Sequence, residues 1–333
     1  MGEKIEEKKK TSDDENWVFC LGGHGSNILT GVKRIHNPQR TVSIPTVFDS
    51  GGSTGDIRKK YNVIAFGDAG MHMKAFMDPS RIPLEWQIIF RKRFRKDVKS
   101  TFAGHSMSNI IMLALTEEYG LEGMFAMLGK MLGIKQRIIP ISLDYSHVNA
   151  LTDKGEIEGE AAIDTRSPDC PRVIRNIQLE PPARIYIKAA EAIEQADKLI
   201  WGPGDMRTSI RPITCVVGVK ESVAKARQKR GTKVILVCNL MTKKSETPGY
   251  TTATFARELC ESLGIEKLDY TLFNTKAIRQ DVLASYAKDG QYPVRFENAL
   301  ECGTIYSGNF LEYDGEYHIR HSPQAVANAI ALL

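Results

Sequence analysis

The sequence predicts an α/β protein with a mostly parallel sheet and an inserted mixed or antiparallel strand region. Three observations carry this reading. Short apolar runs at residues 17–21, 198–201 and 233–238 read as buried strands, and each is coupled to a stretch with helical spacing. Glycine-rich turns follow strands at residues 22–27, 49–55 and 202–209, with a fourth polar loop at 239–247. Residues 137–179 break the rhythm with short strands joined by tight turns such as Asp153-Lys154-Gly155.

In chain order, residues 1–16 are rich in Lys and Glu and are expected to form a disordered charged tail. Residues 17–333 then read as one continuous α/β domain, because no Ser/Gly-rich linker divides them. Residues 26–36 carry apolar side chains at helical spacing, and 41–48 gives a second strand ending before Asp49. That is a βαβ opening, which requires a right-handed crossover and a parallel pair. The stretch 84–132 is expected to be helical. Within it, 106–118 is amphipathic with Ser106 near its start, and 121–132 carries a Met- and Leu-rich stripe that reads as core filler. Strands at 138–141, 146–151, 156–160 and 173–179 form the insertion, expected on the same sheet. Helices at 185–196, 219–228 and 251–263 then lead to strands at 198–201, 233–238 and 268–273. Ser322-Pro323 opens a last helix, with proline in its first turn.

The 333 residues, 42% hydrophobic and 26% charged with a net charge of +5, fit an ordinary globular chain. The basic runs 91–96 and 225–233 read as solvated helix faces. No aromatic ladder or nucleic-acid motif accompanies them, so no nucleic-acid partner is expected. Six scattered cysteines without a CxxC pair suggest free thiols in a reducing compartment. No apolar stretch is long enough to span a bilayer and the N-terminus lacks an apolar signal region, so a cytoplasmic protein without membrane insertion is expected.

Ligands of open parallel sheets bind at the carboxyl ends of the strands, near a topological switch point. The four loops above all follow strands, which points to one shared site. Glycines let backbone N–H groups approach a phosphate, and a helix N-terminus adds unpaired donors and a positive dipole end. Gly22, Gly23, His24, Gly25 and Asn27 form the first candidate cradle. Gly51, Gly52 and Ser53 form the second, and Gly202, Gly204, Arg207, Thr208 and Ser209 the third. The first turn is neither a full GxGxxG fingerprint nor a Walker P-loop. Asp49 either holds Mg²⁺ or accepts a hydroxyl proton, or it is a turn aspartate bonded to its own backbone. His105 either meets a phosphate or orders the entry to the next helix, with Asn109 one turn further on the same face. Arg207 has a bidentate fork suited to phosphate, or faces solvent. Asn239 has an amide able to read a base or ribose edge, or it closes a turn.

Several ordered blocks resemble one family. They are Asp49 with residues 51–55, Gly67-Asp68, residues 103–106 with Asn109, 159–163 and 179–182. The series continues through 202–204 with 208–210, 237–242 with Glu246-Thr247 and Gly249-Tyr250, and 319–321. In these blocks the chain resembles the gluconeogenesis factor (YvcK-like) family, within the superfamily of the 2-phospho-L-lactate transferase CofD. The resemblance implies a cytosolic protein whose residues 17–333 form one Rossmann-like three-layer sandwich, a nucleotide-binding domain with a small-molecule ligand, and a homodimer as the candidate assembly. The gluconeogenesis factor branch implies UDP-sugar binding and a regulatory role in carbon metabolism and cell-envelope growth. The transferase branch implies Mg²⁺ and transfer of a phospholactyl group from a guanylylated donor.

The chain departs from the family pattern around this site. Ser50 follows Asp49 where a second aspartate is usual, and His24 replaces a threonine. The segment to Gly31 is one residue short. Asp205-Met206-Arg207 stands where Ser-Leu-Tyr is usual, so either Arg207 takes over any stacking role of the tyrosine or the ligand differs.

Two functions follow as expectations. In the first, a regulatory protein binds a nucleotide-sugar. The diphosphate lies on residues 22–27 and 202–209, the nucleoside faces Asn239 and Thr242, and the sugar or a metal faces Asp49. In the second, an Mg²⁺-dependent transferase uses Asp49 as metal ligand or base and His105 to stabilise phosphate charge. A protein-interaction scaffold with a vestigial pocket is the third reading.

Overall fold

Residues Trp17–Leu21 (β1) are buried along their whole length, as a strand covered on both faces must be. In the computed structural model, which describes residues 11–165 and 173–333, the chain continues through α1 (Leu29–Ile35), β2 (Thr41–Pro45), α2 (Gly52–Tyr61) and α3 (Gly67–Phe76). Next come α4 (Leu84–Arg91), α5 (Met107–Met131), β3 (Arg137–Ile138), β4 (His147–Thr152), β5 (Gly155–Glu158), α6 (Glu160–Asp164) and β6 (Ile174–Glu180). After these stand α7 (Ile187–Glu194), β7 (Lys198–Trp201), α8 (Arg211–Cys215), α9 (Val219–Arg230), β8 (Lys233–Val237), α10 (Thr252–Leu263) and β9 (Tyr270–Asn274). The chain ends with α11 (Gln280–Lys288), β10 (Thr304–Gly308), β11 (Leu311–Asp314), β12 (His318–His321) and α12 (Pro323–Leu332).

Seven strands form one sheet in the order β10-β9-β8-β7-β1-β2-β3, and every pairing in it is parallel. Alternation along the strands divides the core into two layers. Val18, Cys20, Leu199, Trp201, Val234 and Leu236 pack on the face that also takes side chains from α5, α7, α9 and α10. Trp17, Phe19, Leu21, Ile200, Ile235 and Val237 pack on the other face, with Val32 of α1 and Val326 and Ile330 of α12. The three-layer α/β sandwich expected from the sequence is therefore the observed fold. Thr251 starts α10 as read, its hydroxyl accepting from the Thr254 N–H at 3.3 Å.

The structure corrects four local expectations. Of the inserted strands only the first, β3, joins the main sheet, beside β2; β5-β4-β6 is a separate antiparallel sheet. The basic run at 91–96 is not a helix face, because α4 stops at Arg91 and residues 92–106 leave the helix before α5 begins. Residues 52–55, read as part of a glycine-rich turn, instead form the first turn of α2. Among residues 11–16, Ser12–Asp14 form a helical turn, the Asn16 N–H donates to Asp197 Oδ2 at 2.8 Å, and Glu15 pairs with the buried Lys198 at 2.8 Å. Residues 1–10 of the expected tail lie outside the described residues, as does Cys170. The five other cysteines are free.

The crossing of α1 on α12 needs a glycine. A Cβ on Gly31 would stand 2.1 Å from the Pro323 carbonyl oxygen and 2.3 Å from its carbon, both rigid backbone atoms. Gly31→Ala is expected to cost about 1–3 kcal/mol by overpacking despite alanine's better helix propensity. Urea unfolding checks this, and an unchanged or raised midpoint would refute it.

Candidate functional site

β1 pairs with β2 on one side and with β7 on the other, so the chain order reverses there. Connections from these two strands leave in opposite directions and open a crevice beyond their carboxyl ends. A cleft of about 730 Å³ fills that position. Its walls come from the first glycine turn, the Gly-Pro-Gly loop, residues 239–243 and the hairpin β11–β12.

The two glycine loops touch backbone to backbone. A Cβ on Gly25 would lie 1.8 Å from the Pro203 carbonyl oxygen, and one on Gly22 would lie 2.6 Å from Ser209 Oγ. A Cβ on Gly204 would meet Gly22 N at 3.1 Å. These positions require glycine because two strand-end loops share the space of one. Asn27 lies beneath them. Its Nδ2 donates to the His321 carbonyl at 3.1 Å, and His321 Nε2 meets the Cys238 carbonyl at 3.0 Å. Asn27 Oδ1 is buried and has no hydrogen-bond partner among the described residues.

The first turn contributes Gly22, Gly23, His24, Gly25 and Asn27 to the cleft. Asp49 also lines it, as do Gly204, Thr208, Ser209, Asn239 and Thr242. Several of these side chains are committed elsewhere. Asn239 clasps the Gly204 backbone, donating to its carbonyl at 3.0 Å and accepting from its N–H at 3.4 Å. Thr242 is buried against Tyr292, whose carbonyl accepts from its hydroxyl at 3.1 Å.

Gly51, Gly52, Ser53, His105, Asn109, Gly202 and Arg207 are not among the lining residues. Ser53 Oγ lies 3.1 Å from His105 Nδ1 and accepts from the Ser106 N–H and Asn109 Nδ2, each at 3.2 Å. This buried network ties the start of α2 to the start of α5. Arg207 points away from the cleft. Its guanidinium donates to Tyr250 Oη at 2.6 Å and to the Ile174 carbonyl at 3.3 Å, with Glu258 at 3.4 Å. Its backbone N–H donates to Glu246 at 2.9 Å, and the Thr208 N–H and hydroxyl donate to the same carboxylate at 3.2 and 2.8 Å.

Facing the glycine turns is an acidic wall. Asp49, Asp68, Glu160, Asp164 and Asp205 all line the cleft. Burial, reinforced by the Asp49 charge, pushes Asp68 up to about 7. Burial and the same Asp49 push Glu160 up to about 8. Buried Glu246 is raised to about 7 by burial and by Asp205. Asp164, Asp205 and Glu246 offer carboxylate oxygens within 4.8 Å of one another. The Lys243 ammonium sits among them, bonded to Asp164, to Asp205 at 2.7 Å and to Glu246 at 3.2 Å. Burial works against that charge, yet Asp205 and Glu246 hold Lys243 well above its ordinary range. Asp68, Glu160, Asp164 and Lys243 were not among the residues expected at the site. Gly67-Asp68 and Gly159-Glu160 lay in the family blocks, which were the available signal.

A family model described as 2-phospho-L-lactate transferase CofD matches residues 18–308. The chain belongs to this family. It is 33% identical over 324 residues to a Thermotoga maritima protein provisionally named a gluconeogenesis factor, covering 94% of this chain and 97% of the relative. It is 30% identical to the gluconeogenesis factor of Halalkalibacterium halodurans, covering 95% of both chains. A crystal structure of protein BH3568 from Bacillus halodurans superposes with a TM-score of 0.85 at 27% identity, covering 95% of this chain and 99% of that one. The family resemblance read from the sequence blocks is therefore borne out. Among the described residues, no helix is long and apolar enough to cross a membrane.

The Asp68 shift has a definite sign. In the folded protein its carboxyl keeps the proton to about pH 7, against an ordinary value of 3.8. Its stabilising contribution is complete below the ordinary value and is lost as pH rises through about 7. Asp68→Asn, which cannot ionise, is expected to gain stability over the parent at alkaline pH by at least about 1.4 kcal/mol, the worth of one pKa unit. Near pH 4 that gain should vanish. Thermal melts across pH check it, and a pH-independent difference would refute it.

Proposed function

We propose that the chain binds a nucleotide-linked small molecule, a UDP-sugar or a close analogue, in the switch-point crevice. The diphosphate meets the first glycine turn and Ser209, and the attached group reaches the acidic wall at Asp49. The observation that carries this reading is the contact between the two glycine loops at β1 and β7. It brings Gly22, Gly23, Gly25 and Gly204 together along the cleft wall, beside Ser209. The unpartnered Asn27 Oδ1 adds an acceptor for a ligand N–H or O–H. The likeness to gluconeogenesis factors favours a regulatory role in carbon metabolism, exerted in the cytoplasm.

One observation favours a second reading, an Mg²⁺-dependent transferase of the CofD type acting on a nucleoside-diphosphate-linked donor. Five carboxyl groups beside a diphosphate repel it unless they are protonated or a cation intervenes. The Asp164, Asp205 and Glu246 carboxyl groups already share the Lys243 ammonium. A divalent ion therefore fits better between Asp49 and the ligand's phosphate oxygens, with Glu160 beside it holding or releasing a proton.

Calorimetric titration with UDP-glucose, UDP-N-acetylglucosamine, GDP and GTP, each with and without Mg²⁺, separates the readings. Metal-independent UDP-sugar binding, weakened at least about tenfold by Asn27→Ala or Ser209→Ala, is the expected result. Binding of guanine nucleotides only with Mg²⁺, abolished by Asp49→Asn, would replace it with the transferase. Failure of every ligand to bind would overturn both.

A further inference from the structure

Between α4 and α5 the chain leaves the body of the protein in a pinned excursion. Its root is fixed by backbone pairing. The Phe94 N–H donates to the His105 carbonyl at 2.9 Å, and the Met107 N–H to the Lys92 carbonyl at 2.8 Å. The Arg93 guanidinium adds a bond to the Gly104 carbonyl at 2.9 Å. Beyond this root, residues 95–102 are all exposed.

Two kinds of side chain share that exposed stretch. Residues 91–99 carry six cations and a single acid, Asp97, which is paired with Arg95. Val98 and Phe102 stand 47% and 52% exposed, Phe102 tilted against Phe94 with ring centroids 5.6 Å apart. The preceding helix continues the pattern. Leu84 and Ile88, one turn apart on α4, are 64% and 59% exposed, and Arg91 extends the same stripe. The opposite side of α4 is anchored by the fully buried Phe90.

Solvation accounts for the lysines and arginines but not for a phenyl, an isopropyl and two butyl groups held in water beside them. We propose that this excursion docks the protein reversibly on an anionic lipid surface. Such a surface satisfies both kinds of group at once. Apolar tips enter the headgroup–acyl boundary while lysine and arginine stems keep their charges among the phosphates. Charge complementarity sets the occupant, since the run of positive charge meets a negative leaflet. The apolar groups are strung along a helix and a loop tip without forming a groove, which suits a fluid surface better than a shaped one. The docking is peripheral and needs no spanning helix. It is independent of what occupies the nucleotide cleft.

The test is co-sedimentation of the full chain with phosphatidylcholine vesicles, with and without roughly one-third phosphatidylglycerol. Each cation at an anionic surface is worth about fivefold in partitioning, so a clear preference for the anionic vesicles is expected, weakened by high salt. The Arg95→Ser/Lys96→Ser/Lys99→Ser variant should lose at least about tenfold. Val98→Ser/Phe102→Ser should also lose binding while keeping the parent's melting temperature. Replacing Lys8, Lys9 and Lys10 with serine should leave binding in place. No preference for anionic vesicles, binding that survives the charge variant, or loss on the tail variant alone would overturn the proposal. So would capture of an acidic protein surface by an excursion that ignores vesicles.

Discussion

The site rests on one constraint, the backbone contact of the turn after β1 with the loop after β7. Gly25 against Pro203 and Gly22 against Ser209 leave no room for a Cβ. This closeness follows from β1 and β7 being neighbours at the point where strand order reverses. Other elements are set from it. Asn27, held one turn further on, reaches the carbonyl of His321 and so fixes the end of the β11–β12 hairpin over the crevice. His321 in turn bonds the end of β8 through Cys238. Burial pushes its imidazole down to about 4, so it is neutral at physiological pH and serves as a strut. Gly31 lets α12 lie close on α1 and brings the C-terminal helix against the same half of the molecule. Elements almost three hundred residues apart in sequence thus depend on a few glycines.

The strands that build the sheet were legible because burial on both faces leaves a plain mark, a short continuous apolar run. β1, β7 and β8 follow those runs to within a residue. α2 and α3 were not legible for an equally physical reason. Their first turns, Gly52-Ser53-Thr54-Gly55 and Gly67-Asp68-Ala69-Gly70, are poor in helix formers. Tertiary contacts hold them instead. Arg58, buried within α2, donates to the carbonyls of Phe48, Asp49 and Ser146 and so clamps the helix to the end of β2 and to the inserted sheet. The β11–β12 hairpin is four residues a side and carries charged groups on both, which hides it from pattern reading.

The glycine half of the site could be read locally, because each turn is a contiguous motif. The acidic half could not. Asp49, Asp68, Glu160, Asp164 and Asp205 come from four separate stretches of chain, and only the fold makes them neighbours. Arg207 shows the same limit from the other side. A loop arginine beside glycines suggests a phosphate ligand, but Tyr250 and Glu258, far along the chain, set its direction. Each is an ordinary residue locally, and long-range packing decides its role.

An account of the backbone donors shows how these two halves work together. The Gly23 N–H is bonded to Asp68, the Ser50 N–H to Glu160, the Gly51 N–H to Asp49, and the Arg207 and Thr208 N–H groups to Glu246. Each glycine loop is therefore answered by a carboxyl group of the chain itself, placed where an anionic ligand would be expected to sit. These internal bonds shape the turns, at the cost of gathering negative charge. Protons on Asp68, Glu160 and Glu246 near neutrality and the ammonium of Lys243 relieve that cost. On the proposed function, a phosphate entering the cleft would meet carboxyl groups that burial holds protonated toward neutrality. On that reading it would shift the protonation of the wall or bring a cation with it, and either route would make occupancy of the cleft sensitive to pH through these buried carboxyls.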